Sequence, residues 1–244
     1  DQTLAAQTIN LSGSQTSASG IRLSASQGDI NLTGAAIAIG QTLTANAGQT
    51  LRTDQARLSA TQINASAHDL SNVQGEIIQV GSGDLTLSLP GSLDNTQGRI
   101  AANSRNINLT AATLTNTGGT LAGNGAITLA VGVLANRGGT IQAAGSAAAD
   151  LQIIASGSID NSAAGKIAAS GNAAVTADNL NNTQGQITAD QALSVGTAQA
   201  LANAQGILAA SRQVSVSGSR IDNVQGTIGS VRGAASVTAT SAGL

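Results

Sequence analysis

An eight-residue pattern, apolar–x–Asn–x–x–Gly–x–apolar, recurs along the sequence, and its spacing constrains the fold more than any other feature. The first copy is Leu70-Ser71-Asn72-Val73-Gln74-Gly75-Glu76-Ile77, and the second is Leu93-Asp94-Asn95-Thr96-Gln97-Gly98-Arg99-Ile100. Further copies centre on Asn116/Gly119, Asn136/Gly139, Asn182/Gly185, Asn203/Gly206 and Asn223/Gly226. A copy one residue longer contains Asn161 and Gly165. The eight glycines are separated by 23, 21, 20, 26, 20, 21 and 20 residues. A period of this size marks stacked supersecondary units that share one continuous core.

Between copies the apolar residues alternate: Ile107 and Leu109, Ile127 and Leu129, Leu193 and Val195, Val214 and Val216. A period of two reads as strand with one buried face. Each repeat therefore holds three short strands. In the repeat from Leu93 they are 100–102, 107–109 and a strand ending at Leu114. Three strands with tight turns make one coil of a β-solenoid, and the sequence length gives about 11 to 12 coils of roughly 20–21 residues. Leucine-rich repeats need more leucines per unit. Ankyrin and tetratricopeptide repeats need helices, and no 3.6-residue periodicity is present.

The motif residues have expected structural roles. Stacked coils put equivalent residues about 4.8 Å apart. Asn72, Asn95, Asn116, Asn136, Asn161, Asn182, Asn203 and Asn223 can then form an amide ladder. Gly75, Gly98, Gly119, Gly139, Gly165, Gly185, Gly206 and Gly226 are read as the residues that supply positive φ in the turn. Residues 1–69 lack the motif but keep the period: Ile9, Ile30 and Leu51 lie 21 apart, and Ile21, Leu43 and Ile63 form a second row. They are read as three coils with different turns, continuous with the motif-bearing coils of 70–244 in a single segment, 1–244.

Composition agrees with such a rod. The 244 residues include no Cys, Met, Trp, Tyr or Phe, one Pro, one His and 30 Gly, with a formal net charge of -2. A thin coil has room for Leu, Ile, Val and Ala but little for a ring. The missing rings remove any platform for base stacking, and the charge offers no footprint for nucleic acid or anionic membrane. Without Cys there is no disulfide framework, thiolate metal site or cysteine nucleophile. No apolar run is long enough to span a membrane, so no membrane insertion of this segment is expected. The absence of Met suggests an internal piece of a longer polypeptide.

Chemistry-bearing clusters are sparse. Asp94, Asp160 and Asp222 share one repeat position but fall about three coils, some 14 Å, apart, too far for a glycosidase pair. They read as solvated turn residues. His68 cannot build a His-based metal site or triad alone, and no Gly-Gly-x-Gly-x-Asp calcium repeat is present. Arg99, Arg137 and Arg220 share no motif position, so no heparin-type stripe is expected. Two irregularities stand out: an insertion within 144–150 (AGSAAAD), read as a tolerated bulge with a protruding loop as the alternative, and a longer loop over 81–92 containing Pro90. No catalytic, metal-binding or cofactor-binding residue is assigned; a polysaccharide-processing enzyme would need acids clustered on one face.

The strings LDNTQGRI (93–100), LNNTQGQI (180–187), LANAQGIL (201–208) and RIDNVQGTI (220–228) resemble the haemagglutinin repeats of filamentous haemagglutinin. Such repeats occur in large two-partner-secretion exoproteins, including adhesins and contact-dependent growth-inhibition toxins. The resemblance covers about residues 70–244. It implies an all-β, right-handed parallel β-helix in a secreted or surface protein of a Gram-negative bacterium. It also implies an outer-membrane β-barrel secretion partner, end-to-end contact with further coils of a parent protein, and a receptor on host or bacterial cells. The expected function is a non-enzymatic stalk of an adhesin that attaches to host cells. The alternative is the stalk of a contact-dependent inhibition toxin. The family's Arg-Gly-Asp tripeptide is absent, the nearest strings being Arg137-Gly138-Gly139 and Gln27-Gly28-Asp29.

Overall fold

The computed structural model describes residues 2–145 and 149–240. All the regular elements of the described residues are β-strands, and every strand pairing among them is parallel. They wind into a β-solenoid of about 11 turns with roughly 21 residues per turn.

Three strand positions recur in each coil and build three faces. On the first face Glu76–Gln79, Arg99–Ala102, Thr120–Gly123, Thr140–Ala143, Lys166–Ala169, Gln186–Ala189 and Ile207–Ala210 pair in succession. On the second, Leu87, Leu109, Leu129, Ile153, Val175, Val195 and Val216 stand in register. On the third, Leu70, Leu93, Leu114, Leu134, Ile159, Leu180, Leu201 and Ile221 do the same. Alternation sends every second side group inward, so equivalent apolar residues stack on one another. Ile100, Ile107, Leu109 and Leu114 are all buried within a single coil. Each of these residues contributes about 1.5–3 kcal/mol by leaving water.

The interior is narrow. One inward row of the first face reads Ala102, Gly123, Ala143, Ala169, Ala189 and Ala210. Even a Cβ on Gly123 would crowd Ile107 across the coil. Gln79 occupies this alanine row and is fully buried. Both ends of its amide are used: Oε1 accepts from the Ile63 backbone N–H at 3.0 Å, and Nε2 donates to the Gly83 carbonyl.

Some strands run longer than alternation alone indicates. Asn106–Thr115 is one continuous strand that serves both the second and third faces. Small residues at Ala111 and Ala112 carry it round the corner. In the later coils the corner is a true break, as between Leu151–Ala155 and Ser158–Asp160.

The expected loop at 81–92 is corrected. Only a short turn precedes the strand Leu85–Asp94, which contains Pro90. The register shifts between Leu89 and Ser92, so Pro90 and Gly91 form a bulge. Proline is tolerated there because a bulge leaves its position outside the regular ladder.

The first three coils are corrected as well. Their turns are not different. Gly13, Gly34 and Gln55 have φ of 65°, 66° and 56°, at the turn position where Gln74 and Gln97 have 54°. Leu32 and Thr53 stand where later coils carry Asn, which conceals the shared backbone. Pairing passes residue 70 without a break, through Thr50–Arg52 to Asp69–Ser71 and on to Leu93.

Candidate functional site

The corner after the third face gathers the motif residues. Asn72 Nδ2 donates to Asn95 Oδ1 at 2.7 Å, and the same bond repeats at 2.7 Å from Asn95 to Asn116, Asn116 to Asn136, Asn136 to Asn161, and Asn161 to Asn182. It continues from Asn182 to Asn203 and from Asn203 to Asn223 at 2.6 Å. Each Nδ2 also reaches the glycine carbonyl of its own coil, as Asn95 does to Gly98 at 3.3 Å. A carbonyl of the next coil completes the set, as in Asn95 to Thr120 at 3.1 Å. Asn72 through Asn203 are buried. Thr53 Oγ1 begins the array by donating to Asn72 Oδ1 at 2.8 Å. An amide can continue such a series because it carries both donor and acceptor.

The turn assigns positive φ differently from the expectation. The left-handed residue is the one before the motif glycine: Gln74, Gln97, Gly118, Gly138, Ala164, Gln184, Gln205 or Gln225, with φ between 54° and 66°. The extra residue of the longer copy, Ala163, shares this conformation. The turn closes as the N–H of Gly98 donates to the Asn95 carbonyl at 3.0 Å. The motif glycine serves a close approach instead. A Cβ on Gly98, Gly119, Gly139, Gly165, Gly185, Gly206 or Gly226 would strike the backbone carbonyl of the Asn one coil earlier. It would also strike the Oδ1 of its own coil's Asn. Gly75 meets the Thr53 carbonyl in the same way. Where the corner residue is Leu32 or Thr53, alanine takes the position, as Ala35 and Ala56.

The Gln before the glycine is the residue that motif spacing alone does not single out. The Gln-Gly pair recurs in five copies, and that is the signal the sequence offers for it. The exposed amides stack: Gln74 Nε2 donates to Gln97 at 2.9 Å, Gln184 to Gln205 at 3.0 Å, and Gln205 to Gln225 at 3.1 Å. Gly118, Gly138 and the Ala163–Ala164 pair interrupt the outer stack.

Charged residues act locally. Asp94, Asp160 and Asp222 each accept from the backbone N–H two residues on, at 2.9, 3.1 and 3.2 Å. They cap the turn as Asx residues do. Arg99 pairs with Glu76 at 3.5 Å, Arg137 with Asp160 at 3.4 Å, and Arg52 with Asp29 at 3.8 Å. His68 Nδ1 lies 2.9 Å from Asp69 Oδ2. Ser92 donates to Asp69 Oδ1 through Oγ at 2.7 Å and through its N–H at 2.6 Å. The bond from His68, then those from Ser92, lower the Asp69 pKa from 3.8 to about 2. Ser92 thus binds the carboxylate, so the geometry is not that of a nucleophilic triad. Among the described residues, no group of three or more His, Cys, Asp or Glu is placed to hold a metal ion.

The outward side of the first face carries a groove of about 400 Å³, with Arg99, Asn103, Asn124 and Gln142 among its walls. Part of the insertion at 144–150, residues 146–148, lies outside the described residues. Its flanks are tied together: Ser170 Oγ donates to the Gly145 carbonyl at 2.9 Å and accepts from the Ala149 N–H at 3.0 Å.

The sequence is similar to Toxin CdiA of Yersinia pestis, with 46% identity over 131 residues. That stretch is 51% of the present sequence and 4% of the relative, so it spans only a small part of that protein's length. No solved structure matches significantly. The haemagglutinin-repeat family model matches residues 78–163, 146–204 and 194–244. Two-thirds of the sequence lies within those matches, and the protein belongs to the haemagglutinin-repeat family.

Proposed function

We propose that this segment is a rigid, non-enzymatic spacer: a stalk that holds other parts of a two-partner-secretion exoprotein away from the cell. The apolar rows that stack from coil to coil, joined by the amide ladder from Asn72 to Asn223, carry this reading. Short strands that each bury one face against the next coil make a rod whose length scales with repeat number. The setting is a secreted or surface exoprotein of a Gram-negative bacterium, with an outer-membrane transporter as its secretion partner.

The family description supports attachment to host cells as what the rod serves, with a repetitive surface whose weak contacts add through avidity. The similarity to a protein named Toxin CdiA supports a second reading, a stalk that presents a C-terminal toxin to neighbouring bacteria. Further coils of the parent stack on the open ends, where strand edges need covering.

The test replaces the coils of 93–225 in the parent protein with an equal number of coils from an unrelated β-solenoid. A spacer tolerates the exchange, so secretion and surface activity persist. Loss of activity with normal secretion and normal distal domains would sink the spacer reading. Host-cell attachment and contact-dependent growth inhibition, measured on the same strains, separate the two uses.

A further inference from the structure

Asn124 and Gly125 form the only Asn-Gly dipeptide in the sequence. They lie at the bend between the first-face strand Thr120–Gly123 and the strand Ala126–Ala135. From this position we infer that Asn124 is a site of spontaneous deamidation in the folded protein, through cyclisation onto the Gly125 nitrogen.

The chemistry needs a carboxamide close to an unencumbered following nitrogen. Asn124 is exposed. Its amide makes a single hydrogen bond among the described residues, Nδ2 to Asn103 Oδ1. The Gly125 N–H has no partner among the described residues, although Asn124 N and Ala126 N on either side are bonded to the Ala102 and Arg105 carbonyls. Glycine adds no side group to hinder attack. The fold also keeps glycine there, because a Cβ on Gly125 would collide with the Arg105 carbonyl.

The ladder residues present the opposite arrangement. Their amides are buried, and each Nδ2 from Asn72 to Asn203 is held by three acceptors. Several following N–H groups are also occupied: Val73 by Asp54, Thr96 by Asp94, Ser162 by Asp160 and Thr183 by Asn181. The fold therefore shields its repeated asparagines and leaves Asn124 open.

In the reaction the Gly125 nitrogen loses its proton and attacks Asn124 Cγ. A C–N bond forms, the side-group C–N bond breaks, and the nitrogen leaves as ammonia carrying the proton. Water then opens the succinimide at either carbonyl, giving aspartate or an isoaspartyl linkage. Both products add one negative charge beside Asn103 on the wall of the first-face groove.

The purified folded protein, aged in mildly alkaline buffer, tests this by peptide mapping with fragment-ion localisation. A gain of about one dalton is expected at Asn124 before any other asparagine. Isoaspartyl methyltransferase labelling should rise in parallel. Asn124→Gln should abolish the early gain while leaving the circular dichroism spectrum and melting temperature near those of the parent sequence. Three results would overturn the assignment: a first gain at another asparagine, modification of Asn124 only after unfolding in denaturant, or an early gain unchanged in Asn124→Gln.

Discussion

Asn182 Nδ2 lies 2.6 Å from Asn203 Oδ1, one coil further along the rod, and both residues are fully buried. The same Nδ2 reaches the Gly185 carbonyl at 3.2 Å and the Ile207 carbonyl at 3.3 Å. Replacing Asn182 by Ala leaves those acceptors without a donor in a dry corner, at a cost of about 1–3 kcal/mol. Asn182→Asp should cost more, since it removes the donor and buries a charge. Thermal melting of both variants checks the order; an Asp variant as stable as the parent would refute this account of the ladder.

The motif glycine and the residue before it should respond differently. Gly206→Ala drives a methyl group into the Asn182 carbonyl and should lower stability by several kcal/mol. Gln205→Gly exchanges relief of the φ of 56° for loss of the exposed amide stack, with a net change of about 1 kcal/mol or less. Denaturant titration of the pair tests this. Equal losses would show that the close approach at Gly206 constrains the turn no more than the residue before it.

Ser104 is 2% exposed, and its Oγ has no hydrogen-bond partner among the described residues. Ser104→Ala should therefore stabilise the protein by about 1 kcal/mol, because an unsatisfied buried hydroxyl is removed. A lower melting temperature would show that the hydroxyl has a partner in solution.

Asp69 gives the rod a local acid sensitivity. Its carboxylate is held at a pKa of about 2 in the fold, below its ordinary value of 3.8. A depressed pKa contributes stability that is present above the unfolded value and lost as pH falls from about 4 towards 2. Solvent exposure limits the contribution to about 1 kcal/mol. Asp69→Asn should reduce the difference in melting temperature between neutral and strongly acidic solution. An unaltered difference would remove Asp69 from the acid response.

The regular features of this fold are legible in the sequence because they depend on residue type at fixed spacing. Ile107, Leu109 and Leu114 declare an inward face, and Asn95 and Asn116 announce a shared corner. What spacing does not reveal depends on backbone conformation. Gln97 and Gly118 adopt similar φ, 54° and 60°, despite unlike residue types, so residue type alone does not fix that conformation. Leu32 and Thr53 conceal a turn identical in backbone to the Asn turns. Pro90 reads locally as a breaker, yet neighbouring coils impose a strand on either side of it. The Gln79 amide is satisfied only by groups brought close by folding, so its place in an alanine row is invisible in the repeat.

The amide spine also bears on how the rod yields under load. Its bonds point from coil to coil, along the rod, so a pull on the two ends loads each of them in parallel with the strand hydrogen bonds of the same coil interface, and the interfaces in series. Rupture then proceeds from an end, one coil at a time. Each released coil adds roughly 70 Å of extended polypeptide. The force–extension trace of such a tether is a row of nearly equal teeth, with the 26-residue coil between Gly139 and Gly165 as its widest step.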